Sequence, residues 1–343
     1  GPELKFAGFD AVIVTGKANR PCYLWINDGA AEIRSAERIW GLETGPAQEA
    51  IREEVGQKRA RVALIGPGGE NLVRYACVVN ELKHANGRTG MGAVMGSKNL
   101  KAVAVRGTKK LEIHDPGKLQ ELAKELTELI GRHGPNKVLR ALGTSNLVQV
   151  INSQGILPTR NFRTGFFAGA SEISGEKMAE TILKSEEGCY ACAVRCKRAV
   201  EVPPGPYATS RRYGGPEYET LASLGSLLCI DDLGAIAQGN ELCNRYTLDT
   251  ISVGVAIGFA MECYEKGILT AADTEGVAFA FGNPEAMLKG IEWIAFRKPG
   301  LGDLLADGVK IAAARIGKGT ETFALHIKGQ ELPMHDPRGK TGQ

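Results

Sequence analysis

The sequence predicts an α+β protein, with a β-rich N-terminal domain over residues 1–110 and a mostly α-helical domain over residues 111–343. Three observations lead there. Short β-branched runs bounded by Gly, Pro or Asn dominate the early part of the chain. Apolar residues at helical spacing dominate the rest. The composition, 43% hydrophobic and 24% charged, is that of a globular chain with ample material for a core.

Ala11-Val12-Ile13-Val14, Val62-Ala63-Leu64-Ile65 and Ala102-Val103-Ala104-Val105 read as strands, because β-branched side chains suit a pleated surface. One helix is expected among them near residues 45–55, where Thr44-Gly45-Pro46 offers a cap with Pro in the first turn. The character changes at His114-Asp115-Pro116-Gly117. After it, Leu119, Leu122, Ala123, Leu126, Leu129 and Ile130 recur at helical spacing with Lys and Glu between them. Residues 217–230, 233–246, 252–266, 283–295 and 301–316 each carry a similar apolar stripe. There is no internal repeat.

Charge is nearly balanced, with 42 basic against 39 acidic residues, so the chain carries no electrostatic footprint for DNA or RNA. The start, Gly1-Pro2-Glu3, has no charged or apolar leader and gives no argument for secretion. The most apolar stretch, residues 251–261, is too short for a bilayer span and reads as a buried helix. Eight cysteines are too few for a disulfide scaffold, and three of them sit close together, which points to a metal in a reducing compartment. A cytoplasmic protein is expected. The 44 glycines fall in short clusters, as backbone approach points do.

Cys189-Tyr-Ala-Cys192-Ala-Val-Arg-Cys196 is the strongest chemical signal. Short loops let three thiolates wrap three corners of one iron–sulfur cluster. The order is C-x2-C-x3-C, the reverse of the radical-SAM spacing, and no second C-x2-C or paired His suggests zinc. Three unliganded structural cysteines are the other reading. Arg195, Lys197 and Arg198 would lower the net negative charge of a thiolate-ligated cluster and favour its reduced state.

A glycine loop is the second signal, Asn86-Gly87-Arg88-Thr89-Gly90-Met91-Gly92-Ala93-Val94-Met95-Gly96-Ser97-Lys98-Asn99-Leu100-Lys101. Its backbone N–H groups could receive an anion, with Arg88, Lys98 and Lys101 supplying charge for a phosphate. The spacing matches neither the dinucleotide nor the Walker pattern. A glycine-rich turn packed between strands fits equally well.

The segment from Arg88 through Val105 resembles the signature of the aldehyde:ferredoxin oxidoreductase family. Four further segments agree in order: Gly1-Pro2-Glu3-Leu4-Lys5-Phe6-Ala7-Gly8-Phe9-Asp10, Gly188 with the cysteine motif, Gly215-Pro216-Glu217-Tyr218-Glu219-Thr220, and the run from Lys328 to Gly339 that contains Leu332-Pro333-Met334-His335-Asp336-Pro337-Arg338. The resemblance implies one tungsten or molybdenum ion held by two pyranopterin dithiolenes, with a [4Fe–4S] cluster beside one pterin. It implies oxidation of a small aldehyde to a carboxylate, with electrons passed to ferredoxin or another electron-transfer protein, no nucleic-acid or membrane partner, and a possible homodimer. Cys189, Cys192 and Cys196 are then expected to be cluster ligands, and Asn86, Gly87, Arg88 and Thr89 to meet a pterin and its phosphate. Glu219 is expected close to the metal.

Helical spacing sets Glu219 over Ala222, Ser223 and Ser226, small residues that leave room for a bulky group. A solvated Glu favoured by the helix dipole is the plainer reading; with the resemblance, Glu219 is expected to handle a proton or orient a water. Asn244-Arg245-Tyr246-Thr247-Leu248-Asp249 stands where the family's pterin motif usually begins with Asp and carries Gly at the Thr247 position. Asp249 fits as a pterin acceptor, whereas Asn244 departs from the pattern. Glu81 and His84 have the spacing of an iron-bridging pair but are expected on opposite faces of a strand, at the surface. His335 occupies a position often filled by Tyr and is expected to lie behind the reacting groups. Cys229, Cys243 and Cys263 are expected as buried structural thiols. The resemblance also implies a stretch before Gly1 and a longer helical part after Gln343 that holds the fourth cluster ligand. A reductive relative, such as the tungsten subunit of a benzoyl-CoA reductase, and a non-catalytic iron–sulfur electron-transfer module are the competing readings.

Overall fold

The computed structural model describes residues 1–339. The chain opens with helix α1 (Pro2–Phe6) and the hairpin β1 (Cys22–Asn27) and β2 (Ala30–Ser35), followed by α2 (Thr44–Glu54), β3 (Arg61–Leu64) and α3 (Pro67–Glu70). Next come β4 (Val78–Asn80), β5 (His84–Asn86), α4 (Met91–Ser97) and β6 (Leu100–Arg106). These strands form one mixed sheet in the order β2-β1-β6-β3-β4-β5, parallel only between β1 and β6. Alternation along β1, β3 and β6 puts Tyr23, Trp25, Val62, Leu64, Ala102 and Ala104 on one face, where Ala47 and Ile51 of α2 cover them. Ile26 and Val105 point the other way, toward Ala7.

Beyond the sheet lie α5 (Pro116–Arg132), α6 (Gly134–Leu142), α7 (Leu147–Ser153), α8 (Gly175–Thr181) and the hairpin β7 (Leu183–Glu187) and β8 (Lys197–Val200). They are followed by α9 (Tyr218–Leu224), α10 (Leu233–Tyr246), α11 (Thr250–Glu265), α12 (Pro284–Ala295), α13 (Leu301–Ala306) and α14 (Val309–Ile316). The α+β class is as expected. Helix α11 is buried on every side from Ser252 to Cys263, as a helix apolar all round must be, and it is the axis of the larger core. At Gly254 it meets α9 so closely that a Cβ would lie 2.4 Å from Ser223 O. That crossing fixes the start of α9 against the start of α11, with Thr220 and Thr250 hydroxyls 2.8 Å apart. No helix among the described residues is long and apolar enough to cross a membrane.

Several expectations are revised. Residues 11–14 form no strand, and Ile13 is 88% exposed, because no strand among the described residues pairs with them. The helix expected over 217–230 stops at Gly225, and the one over 301–316 divides at Gly308, whose φ of +85° breaks the helical path. Helix α5 forms where predicted, yet Leu119, Leu122, Leu126 and Leu129 all stay exposed. Glu81 and Leu82 occupy a left-handed turn, not a strand, and Glu81 accepts hydrogen bonds from Arg52 at 3.0 Å and from Arg61 at 2.5 Å.

The sheet also holds one buried ion pair. Lys101 is fully buried and donates to Leu42 O at 2.8 Å and to Glu70, which accepts from Gly41 N at 2.7 Å as well. Burial pushes the Lys101 pKa down and the Glu70 pKa up, while each charge opposes the shift on the other.

Candidate functional site

A cavity of about 280 Å³ lies where the β4–β5 hairpin, the start of β8, and the first turns of α9 and α11 converge. Its walls include Lys83, Gly87, Arg88, Lys197, Glu219 and Asp249.

The glycine loop contributes less of this wall than its composition suggests. A Cβ at Gly90 would lie 2.2 Å from Arg74 O, at Gly92 2.4 Å from Cys77 O, and at Gly96 2.0 Å from Gly69 O. These three glycines let α4 lie against the backbone of residues 69–77. Gly87 has nothing within 4 Å of its Cβ direction and is the one facing open space. Two cations expected to serve a phosphate are also engaged elsewhere. Lys101 is buried in its pair with Glu70, and Lys98 donates to Gly16 O at 2.9 Å. Arg88 remains. Thr89, next to it, adopts φ +77°, which is strained for a β-branched residue, and such strain concentrates at sites where a ligand is held.

Arg88 and Asp249, both expected at the cofactor, meet directly. Arg88 Nε donates to Asp249 Oδ2 at 3.3 Å, and its terminal nitrogen donates to Glu331 O at 2.6 Å and Ser252 Oγ at 3.4 Å. Asp249 caps α11, accepting from Ile251 N at 3.2 Å, Ser252 N at 3.3 Å and Ser252 Oγ at 2.9 Å. The carboxylate is almost saturated by these donors, and Oδ1 keeps the free acceptor position. Upstream, Thr247 holds a left-handed conformation with φ +62°, where glycine is the easy choice. Its hydroxyl offsets that cost by accepting from Gly66 N at 2.9 Å, which ties α10 to the sheet domain. Asn244 donates instead to Tyr213 O at 2.9 Å.

Glu219 is half-buried on the first turn of α9. Its Oε2 accepts from Met334 N at 2.9 Å, and its Oε1 lies 3.3 Å from His335 Nε2. Burial raises its pKa, opposed by the Met334 N–H, His335 and Arg88. Tyr218 holds the facing segment by donating to Met334 O, with its ring 5.2 Å from the His335 ring. His335 therefore stands beside the carboxylate, closer than the sequence placed it. Its signal was available, since the 328–339 run and the 215–220 run were both singled out, but no spacing rule brings them together.

Cys189, Cys192 and Cys196 ride the loop that joins β7 to β8. Ala191 and Arg195 take left-handed φ values of 54° and 56°, which curls the loop, and Cys192 N donates to Cys189 O at 3.1 Å. Cys189 and Cys192 are exposed and Cys196 is half-buried. Among the described residues no three His, Cys, Asp or Glu side chains surround a single ion position. A cuboidal iron–sulfur cluster makes no such demand, because each thiolate binds its own iron. Lys197 follows directly and pairs with Glu217 at 2.8 Å, and Glu217 also accepts from Thr144 Oγ1 at 2.5 Å. This pair joins the cysteine loop to the helix that carries Glu219. Cys77, Cys243 and Cys263 are buried, whereas Cys229 is half-buried in a left-handed turn beyond α9.

The sequence matches two family models. One is described as the aldehyde ferredoxin oxidoreductase N-terminal domain, over residues 1–107, and the other as domains 2 and 3 of that enzyme, over residues 121–343. The chain is 45% identical over 346 residues to the tungsten-containing aldehyde ferredoxin oxidoreductase of Pyrococcus abyssi, covering all of this chain and 56% of that protein. It is 34% identical over 360 residues to the aliphatic sulfonate oxidoreductase, WOR-like subunit, of Pyrococcus furiosus, covering 99% of this chain and 56% of that one. The solved active-site complex BamBC of benzoyl coenzyme A reductase superposes with a TM-score of 0.81 at 30% identity, over 97% of this chain and 52% of that chain. The chain thus spans a little more than half the length of these relatives.

Proposed function

Because the chain belongs to the aldehyde ferredoxin oxidoreductase family, we propose that the full-length protein oxidises a small aldehyde to a carboxylate at tungsten, or molybdenum, held by two pyranopterin dithiolenes, and passes the electrons through a [4Fe–4S] cluster to ferredoxin. The observation that carries this reading is the convergence of Arg88, Asp249 and Glu219 on one cavity whose far wall, Lys197, adjoins three thiols. The donor set fits the cofactors. Thiolates on a curled, accessible loop suit iron, the open backbone at Gly87 and the Arg88 guanidinium suit a pterin phosphate, and Oδ1 of Asp249 can accept from a pterin ring N–H.

When bound, the tungsten cofactor supplies the acceptor for the two electrons that leave the aldehyde. The remaining chemistry falls to protein groups. Glu219 is oriented from one side by the Met334 N–H and from the other by His335. A carboxylate whose pKa is raised by burial is a better base near neutral pH than an exposed one. It is suited to take the proton from the water that adds to the aldehyde carbon, and His335, partly exposed, is placed to relay that proton to solvent.

Elemental analysis of the full-length protein, purified anaerobically, is the direct test. Tungsten or molybdenum with about four irons per chain is expected for this cofactor set. Iron without either metal would replace the enzyme reading with that of an electron-transfer module. The likeness to the benzoyl coenzyme A reductase complex favours one further reading, a reductive enzyme acting on an aryl thioester. Turnover of an aromatic thioester with no aldehyde oxidation would establish it. In the same protein, Cys192→Ser is expected to cut iron content and change the reduced-state EPR spectrum while the sheet domain stays folded, since a serine oxygen is a poor iron ligand. Unchanged iron and EPR in that variant would remove Cys192 from the ligand set.

A further inference from the structure

Arg198, on β8, is only 3% exposed; its guanidinium touches the cysteine loop at Arg195 O, and the residue also lines the cavity described above. It donates to Ala141 O at 2.7 Å, Arg140 O at 2.6 Å and Arg195 O at 3.0 Å, the last being the carbonyl just before Cys196. Its Nε has no hydrogen-bond partner among the described residues. Gly143 leaves that nitrogen uncovered, because a Cβ there would lie 3.2 Å from Nε and 2.9 Å from Cys196 O. No carboxylate among the described residues forms an ion pair with Arg198. The two acidic groups in range are committed elsewhere, Glu186 to Arg140 at 2.9 Å and Glu217 to Lys197 at 2.8 Å.

A buried cation without a counter-ion is costly, and persists where an anion completes the site. Neutral thiols would not provide one. Iron-bound thiolates on the loop whose Arg195 carbonyl it holds would. From these contacts we infer that Arg198 is the counter-charge of the iron–sulfur cluster and tunes its reduction potential upward. The inference rests on the cluster reading above. Adding one electron makes the cluster more negative by one charge, and a fixed buried cation stabilises that form more than the oxidised one. Lys197 contributes less, since Glu217 already neutralises it. The contacts to Arg140 O and Ala141 O, which satisfy the last carbonyls of α6, also serve the fold, so the test separates charge from clamp.

The experiment is an EPR-monitored redox titration of the full-length protein and two variants under anaerobic conditions. Arg198→Met removes the charge, Arg198→Lys keeps it, and both lose the planar fork that holds the carbonyls. The Met variant is expected to lower the reduced-to-oxidised ratio at a given potential at least tenfold, a downward shift of about 59 mV for one electron, while the Lys variant stays near wild type. Equal shifts in both variants, or none in either with a full EPR signal, would overturn the counter-charge role and leave the cluster intact. Absence of any cluster signal in the wild type would instead overturn the cluster reading itself. Should Arg198→Met fail to fold, Arg198→Gln makes the same comparison, since its amide can still donate to Ala141 O.

Discussion

Glu219→Gln in the full-length protein is expected to reduce aldehyde oxidation at least about a hundredfold, the usual worth of a positioned acid or base. The change is isosteric and keeps the Met334 N–H contact, since the Gln carbonyl also accepts, so cofactor content should remain near wild type. What is lost is the basic oxygen beside His335. The pH profile gives a second readout. The Glu219 pKa is raised by burial, so the ionised, proton-accepting form appears at higher pH than for an exposed carboxylate. Activity should therefore rise with pH through a limb displaced upward from that of an exposed carboxylate, and the limb should vanish in the Gln variant. Full activity with an unchanged profile would reduce Glu219 to a helix-terminal residue favoured by the dipole.

The second large effect is structural. Glu70→Ala would leave the Lys101 ammonium fully buried with Leu42 O as its only hydrogen-bond partner among the described residues and would strand the Gly41 N–H. Removing one member of such a pair typically costs about 3–5 kcal/mol. Replacing both members, as in Glu70→Leu with Lys101→Met, is expected to recover most of that loss, because no uncompensated charge remains. Denaturant unfolding monitored at Trp25, which packs on the opposite face of the same sheet, reports both variants. Equal stabilities for the single and double variants would mean that the Lys101 charge finds another partner.

Helix α10 was legible to the residue, because Asp232 caps it by accepting from Ala235 N at 3.0 Å and Thr247 ends it in a left-handed turn. Residues 11–14 were misread because β-branched composition marks a strand only where a neighbour supplies its hydrogen bonds, and one sequence does not reveal the neighbour. The glycine loop was legible as a site but not in its division of labour. Whether a glycine faces a ligand or another backbone depends on residues 69–77, which pack against it. Lys101 looked available for a phosphate because alternation along β6 does not announce that its inward face meets Glu70. The pairing of Arg88 with Asp249 was implied by naming both as cofactor residues, whereas His335 against Glu219 required the fold.

Arg88 ties together three stretches distant along the chain, reaching Asp249 across 161 residues and Glu331 across 243. Closing loops of that length sacrifices chain entropy before any contact rewards it, so non-local contacts of this kind form late in folding. The sheet around Trp25 and the helices around α11 can each collapse on mostly local terms; the space between them acquires its walls only when they dock. On the function proposed above, a bulky cofactor would enter after that docking has begun, late in folding and not at its start.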